Sequence, residues 1–600
     1  MTHSFYIPVM GTAFTIDSAL KIARFGIVST ASIGDDELCE IIREYYCGQY
    51  QLPYTVIDKK IDDHRAKRVT AFLDMTQTII DIQVNEMRQQ PFTEGTDAFK
   101  YFDLLPKDHP KKILFETFKT LPTSSPKYVQ MEASLRDAIV AGHIEVNIMT
   151  KVDKDNFAAD GTPLGDNSSD AQAGLRGFAN SKIMGTIVLS AGFNRRLYAY
   201  ADQLGCFTPD EKGIVKKRLI IKVSDFRSAL IQGRFLAKKG LRAAEFRVES
   251  GINCGGHAFI ADGILMGPIL QEFKDNINDL SKELIETANA VLMSRGQNTY
   301  DINQKVLVSV QGGIGTHAEA SFMKRYYPVH ATGWATPFLL VPEASTVDKD
   351  SLDILRKAGE DDLFLSHVSP LGIRFQLAKH TLSETEKAKK IAAGKTGSAC
   401  PKRYLVNNTE FTERPICTAS MDYQKKKIAE LEKTLTGDAL VTAIADVTRK
   451  SCLCEDLAAA ALVLYDIPSK RVQTPTICAG PNLAYFDKVY SLKEMVGHIY
   501  GETNLINHPA RPHVFNKELK LYLDYYKEEF ADMLPTPTPK ELEYVARVKT
   551  NLSDGIAYYR DLIGQIDEES DKNKTTFIKD LDKLAAQLDA LVLPFTLSPA

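Results

Sequence analysis

Short apolar runs alternate with stretches of apolar residues at helical spacing from the start of the chain. Tyr6 to Met10 is an apolar run ended by Gly11. Ala19-Leu20, Ile22-Ala23 and Phe25 then recur three to four residues apart, and Gly26 to Thr30 repeats the strand pattern. Asp35 to Tyr46 follows as a helix whose acidic first turn suits the helix dipole. After a charged, helical insertion over about 50–140, strand runs return at Ile144–Ile148, Thr186–Ser190, Leu219–Val223, Ala243–Val248, Val306–Val310 and Val329–Thr332. Between Leu219–Val223 and Phe246, the residues Phe226, Ala229, Leu230, Gly233, Leu236 and Ala237 keep helical spacing, which makes this stretch a βαβ unit.

Eight strands alternating with helices, several almost continuously apolar, are expected of parallel strands buried on both faces. The predicted fold is therefore α/β: a (β/α)8 TIM barrel with a helical insertion and a mainly helical, cysteine-containing C-terminal extension. An open doubly wound sheet is the competing topology. The boundaries read as a barrel over 1–375, a cysteine-containing region over 376–485 and a helical region over 486–600. In a barrel, chemistry belongs on the loops after the C-terminal ends of the strands.

Charge and composition narrow the function. Lys and Arg number 73 against 77 Asp and Glu, a net charge of −4, with 44% apolar and 25% charged residues. That is ordinary globular composition without the basic field a nucleic acid requires. No run reaches the roughly 18 apolar residues of a membrane span, and the first residues do not form a signal peptide, so a cytoplasmic location is expected. Nine cysteines in 600 residues are too sparse for a disulfide scaffold. A small-molecule enzyme is the expectation.

Two glycine-rich loops stand where such chemistry belongs. After the sixth strand, Glu249-Ser250-Gly251-Ile252-Asn253-Cys254-Gly255-Gly256-His257 combines glycines that admit a planar ligand with a histidine suited to proton transfer. The same residues also fit an ordinary glycine turn. After the seventh strand, Gln311-Gly312-Gly313-Ile314-Gly315-Thr316 runs into a helix from about His317 to Tyr326. Its backbone N–H groups make an anion site for a phosphate, or simply a turn. Thr332-Gly333-Trp334-Ala335-Thr336 after the eighth strand adds a hydroxyl and further amides to the same place.

Ile7-Pro8-Val9-Met10-Gly11, Gly255-Gly256-His257, Gly312-Gly313-Ile314-Gly315 and Phe338-Leu339-Leu340-Val341-Pro342-Glu343-Ala344 follow the order seen in the nitronate monooxygenase (2-nitropropane dioxygenase-like) family. Over residues 5 to 375 the chain resembles an FMN-binding barrel of that type. The resemblance implies that His257 lies near the flavin and removes a substrate proton. It implies that Gly312, Gly313 and Gly315 hold the FMN phosphate with Gly333 and Thr336 beside them, although Ala335 stands where the family has glycine. It further implies that Met10 and Gly11 pack beneath the flavin, that Gly255 and Gly256 approach it, that Asn147 bonds the ring edge and that Lys222 stabilises the reduced ring. For Asn147 and Lys222 an ordinary polar strand end is the alternative.

Five cysteines, Cys400, Cys417, Cys452, Cys454 and Cys478, crowd into one stretch. Thiolates suit a [4Fe–4S] cluster or zinc, yet the spacing contains no Cys-x-x-Cys pair, and buried unliganded thiols also account for it. Cys254 fits packing or a redox role at the ring; Cys39 and Cys47 fit the core. Farther on, Asn516 to Leu534 reads as a helix. Thr538, Pro539 and Glu541 form a capping box that starts two more amphipathic stretches, which either pack on the barrel or mediate self-association.

The leading expectation is an FMN-dependent oxidoreductase of a small organic substrate, driven by NAD(P)H or a redox protein. Length makes the chain resemble the trans-acting enoyl reductases of polyketide and polyunsaturated-fatty-acid synthesis, so reduction of an activated C=C bond is the alternative. A non-catalytic zinc-binding scaffold is the third. No second dinucleotide-binding Gly-x-Gly-x-x-Gly pattern is present, so nicotinamide would have to visit the flavin directly.

Overall fold

The computed structural model describes residues 2–149, 153–158, 162–253, 256–258, 260, 262–469, 471, 474–506, 508–509, 511–531 and 537–591. Eight parallel strands close into a barrel in sequence order: β1 (Phe5–Ile7), β2 (Val28–Ser32), β3 (Ile144–Ile148), β4 (Thr186–Leu189), β5 (Arg218–Val223), β6 (Ala243–Glu249), β7 (Leu307–Gln311) and β8 (Val329–Gly333). Closure is made by β1 pairing with both β2 and β8, through Tyr6 to Val28 and Tyr6 to Gly333. The closed ring excludes the open sheet.

The largest departures from the apolar pattern fall in β1 and β2, and the end of the one and the start of the other each have a backbone reason. β1 stops at Ile7 because Pro8 has no N–H to continue the ladder. β2 starts two residues late because Gly26, at φ +78°, ends the preceding helical turn and donates its N–H to the Ala23 carbonyl. The following helix, Asp36–Gln49, is capped by Asp35, whose side chain accepts the Leu38 N–H at 3.1 Å.

The insertion is helical, and its longest helix, His64–Gln89, buries one face against the barrel's own helices Asp36–Gln49 and Asp170–Asn180. Beyond the barrel, β9 (Leu363–Ser366) and β10 (Phe375–Ala378) form an antiparallel pair. The helices Val514–Ala531, Pro539–Leu562 and Asp571–Asp589 pack on one another and against the barrel helix Met266–Ser294, with Phe515 stacked on Tyr559. Thr538 and Glu541 form the expected capping box, with Pro539 in the first turn. Among the described residues no helix is long and apolar enough to cross a membrane.

The barrel is filled by charge as well as by hydrocarbon. Arg247 is buried with a forked pair of bonds to Glu145 at 2.7 and 2.8 Å, a bond from Nε to Glu245 at 2.9 Å, and its guanidinium 3.8 Å from the Tyr6 ring centre. Side chains of one strand point the same way every second residue. One step farther toward the C-terminal ends come Asn147 and Glu249, which face a cavity.

Candidate functional site at the barrel mouth

That cavity encloses about 1110 Å³ including its opening. Its floor comes from the ends of the first six strands: Gly11 and Thr12, Ser32, Asn147, Ser190, Lys222 and Glu249. Its wall and roof are His257, Phe375 and the later segments carrying Tyr404, Leu453 and Cys454. Among the described residues that line it, none belongs to β7 or β8.

Four residues expected around a flavin ring therefore meet in one space: Gly11, Asn147, Lys222 and His257. Lys222 Nζ lies 3.2 Å from Glu249 Oε1, which also accepts from the side-chain amides of Gln311 at 3.0 Å and Asn253. Asn147 Oδ1 is buried with no hydrogen-bond partner among the described residues. An unpartnered acceptor at a cavity wall costs free energy unless a ligand donor reaches it. Met10 is buried but does not line the cavity; its carbonyl accepts the Cys478 thiol at 2.7 Å.

His257 is held by its neighbours as well as by its loop. Its Nε2 lies 2.8 Å from Ser369 Oγ, and its backbone bridges Phe375 of β10. The Gln376 N–H donates to the Gly256 carbonyl at 2.8 Å, and the Ala258 N–H to the Arg374 carbonyl at 3.0 Å. Gly256, at φ +108°, has the Phe375 ring 2.4 Å from where a Cβ would stand, so this glycine serves the pairing with β10. Gly255 and Cys254 lie outside the described residues.

The turn after β7 is occupied by the chain itself. The Gly315 and Thr316 N–H groups donate to Glu319 Oε2 at 2.8 and 3.2 Å. The Gly313 carbonyl accepts from Arg511 at 3.1 Å and from the Asn482 amide, and the Gly315 carbonyl lies 2.9 Å from His498 Nε2. Burial alone would raise the Glu319 pKa, but Arg511, at 2.7 and 3.0 Å, holds this carboxyl below the usual carboxylate range. A Cβ on Gly313 would stand 2.0 Å from Ile252 Cδ1, and one on Gly315 2.4 Å from the Arg511 guanidinium. Gly312 sits against Asn253 and Ser250, Gly333 against Gln311 and Tyr6, and Thr336 is buried at the start of a short helical turn.

The fit to FMN is thus divided. The mouth suits a planar ring, with a lysine, an unpartnered amide oxygen and a histidine facing it. The glycine turn does not take a phosphate as expected: the Gly315 and Thr316 N–H groups are spent on a buried carboxylate, and Gly312, Gly313, Gly315, Gly333 and Thr336 do not line the cavity. The signal for this was in the sequence, since Thr316-His317-Ala318-Glu319 is a capping box that satisfies its own helix start. Arg511 carried no local signal.

The cysteines divide as well. Cys400, Cys417, Cys452 and Cys454 line one small cavity, and none is disulfide-bonded. Cys478 is not with them. It is buried beside Gly11, 3.3 Å from where a Cβ on that glycine would lie, which corrects its place in the expected ligand set. Cys39 and Cys47 are buried core residues.

No family model matches the sequence, and none of the curated proteins is significantly similar to it. The likeness to the nitronate monooxygenase family therefore rests on the motif residues and their places in the barrel.

Proposed function

We propose that this chain is a flavin-dependent oxidoreductase of the nitronate monooxygenase type, acting on a small organic substrate at the barrel mouth. The observation that carries the reading is the meeting of Gly11, Asn147, Lys222 and His257, from two strand ends and two loops, around one cavity at the catalytic end of an eight-stranded barrel. A flavin ring bound there would supply hydride or single-electron transfer. The chain's own residues bind and move protons: Asn147 Oδ1 accepts from the ligand, Lys222 brings positive charge to the floor, and His257, oriented through Ser369, exchanges a proton with the substrate. The phosphate of FMN would lie outside the Gly312–Gly315 turn.

His257→Ala is expected to leave flavin binding intact and to lower turnover by about 100-fold or more. Unchanged turnover removes His257 from the chemistry, and failure of the purified protein to take up flavin rejects the reading. Anaerobic mixing fixes the direction. Bleaching by NAD(P)H marks a reductase of activated C=C bonds, and bleaching by an alkyl nitronate alone marks nitronate oxidation.

A further inference from the structure

Cys400, Cys417, Cys452 and Cys454 come from three chain segments that have no local reason to meet. The fold brings them together around one small cavity. Backbone bonds fix the loops: the Ser398 N–H donates to the Ala419 carbonyl and the Met421 N–H to the Ser398 carbonyl, each at 3.0 Å. Gly397 allows this approach, because at φ +72° a Cβ there would stand 2.7 Å from the Met421 nitrogen. Cys452 is the N-cap of the helix Leu453–Leu464, and Cys454 lies in its first turn.

The start of the Leu453–Leu464 helix offers its positive dipole end. Among the described residues no three Cys, His, Asp or Glu side chains are arranged to hold a single metal ion. A tetrahedral zinc needs its sulfurs about 2.3 Å from one point. Four sulfurs spread around one cavity have instead the donor set of a polynuclear centre.

We infer that Cys400, Cys417, Cys452 and Cys454 bind a [4Fe–4S] cluster, and that Cys478 takes no part. The site stands apart from the reading of the mouth, although the two adjoin. Leu405, Leu453 and Cys454 line both cavities. Thr418, next to Cys417, donates to the Pro370 carbonyl at 3.2 Å, beside the Ser369 that touches His257.

The test uses the full chain, purified without oxygen and reconstituted with ferrous iron and sulfide. Iron, acid-labile sulfide and zinc are then determined, and the dithionite-reduced protein is examined by electron paramagnetic resonance. The expected result is about four irons with matching sulfide per chain and a cluster signal. Cys417→Ser and Cys454→Ser should lose the iron while keeping the wild-type circular dichroism spectrum, and Cys478→Ser should keep both. One zinc without iron, two disulfides without metal, or iron retained by the Cys417→Ser and Cys454→Ser proteins would each overturn the assignment. The wild-type determination needs no variant, and iron with no flavin uptake would reject the mouth reading while leaving the cluster standing.

Discussion

The loops after β6 and β7 are both glycine-rich, yet one borders a cavity and the other is packed solid. At the β6 loop the chain pairs with β10 and leaves His257 on the cavity wall. At the β7 turn Glu319 takes the Gly315 and Thr316 N–H groups, Arg511, Asn482 and His498 bond the Gly313 and Gly315 carbonyls, and Ile252 and Val514 fill the space above Gly313. The difference teaches that glycine reports close approach without saying what approaches. At Gly256 it is an aromatic ring of the chain, and at Gly315 a guanidinium. An anion cradle in sequence becomes a ligand site only when no carboxylate of the chain reaches it first.

The sharpest way to break this contrast is to remove Arg511. Arg511→Met leaves Glu319 buried and unpaired, and is expected to lower unfolding stability by about 3–5 kcal/mol in denaturant titration. Combining it with Glu319→Gln should recover much of the loss, because the uncompensated charge goes too. If Arg511→Met is neutral, the turn is not held by this pair.

A smaller effect separates the loops by their glycines. Gly313→Ala meets both a left-handed backbone and Ile252, and should cost about 1–3 kcal/mol. Gly34→Ala, at the cavity edge with nothing within 4 Å of the added carbon, should stay within about 0.5 kcal/mol. Equal costs at the two positions would erase the distinction.

The smallest effect is in pH. Glu518, on the helix that covers the β6 loop, accepts from the Met266 N–H at 2.8 Å and the Ser250 hydroxyl at 2.5 Å, and burial pushes its pKa up to about 7. Its folded pKa exceeds the ordinary value, so the folded state binds the proton more tightly. The stability this contributes is full below about pH 4.5 and is lost as pH rises through about 7. Asp456, also raised by burial to about 7, adds to the same slope. Glu518→Gln should flatten the fall of the melting temperature between pH 5 and 8, and an unchanged slope would place the titration elsewhere.

The barrel was legible because its signal is local. Runs such as Val306–Val310 are almost continuously apolar, and the helix His317–Tyr326 begins and ends where its pattern does. Gly11, Asn147, Lys222 and His257 were legible because barrel topology places strand ends together. What the sequence hid is long-range. Arg511 enters a turn almost 200 positions earlier, Ser369 reaches His257 across 112, and Cys452 and Cys454 join Cys400 and Cys417 with none of the short spacings by which such sites are recognised. Cys478 shares the stretch but packs on Met10, which spacing could not separate from ligation.

The most direct test of the account is a side-by-side binding titration of FMN and riboflavin with the purified chain. The account predicts that both bind with affinities within about tenfold of each other, a gap of no more than about 1.4 kcal/mol. It also predicts that Lys222→Met weakens both, since the ring lies in the mouth while the glycine turn keeps its own carboxylate. Binding of FMN with riboflavin ignored, or of neither, would contradict it.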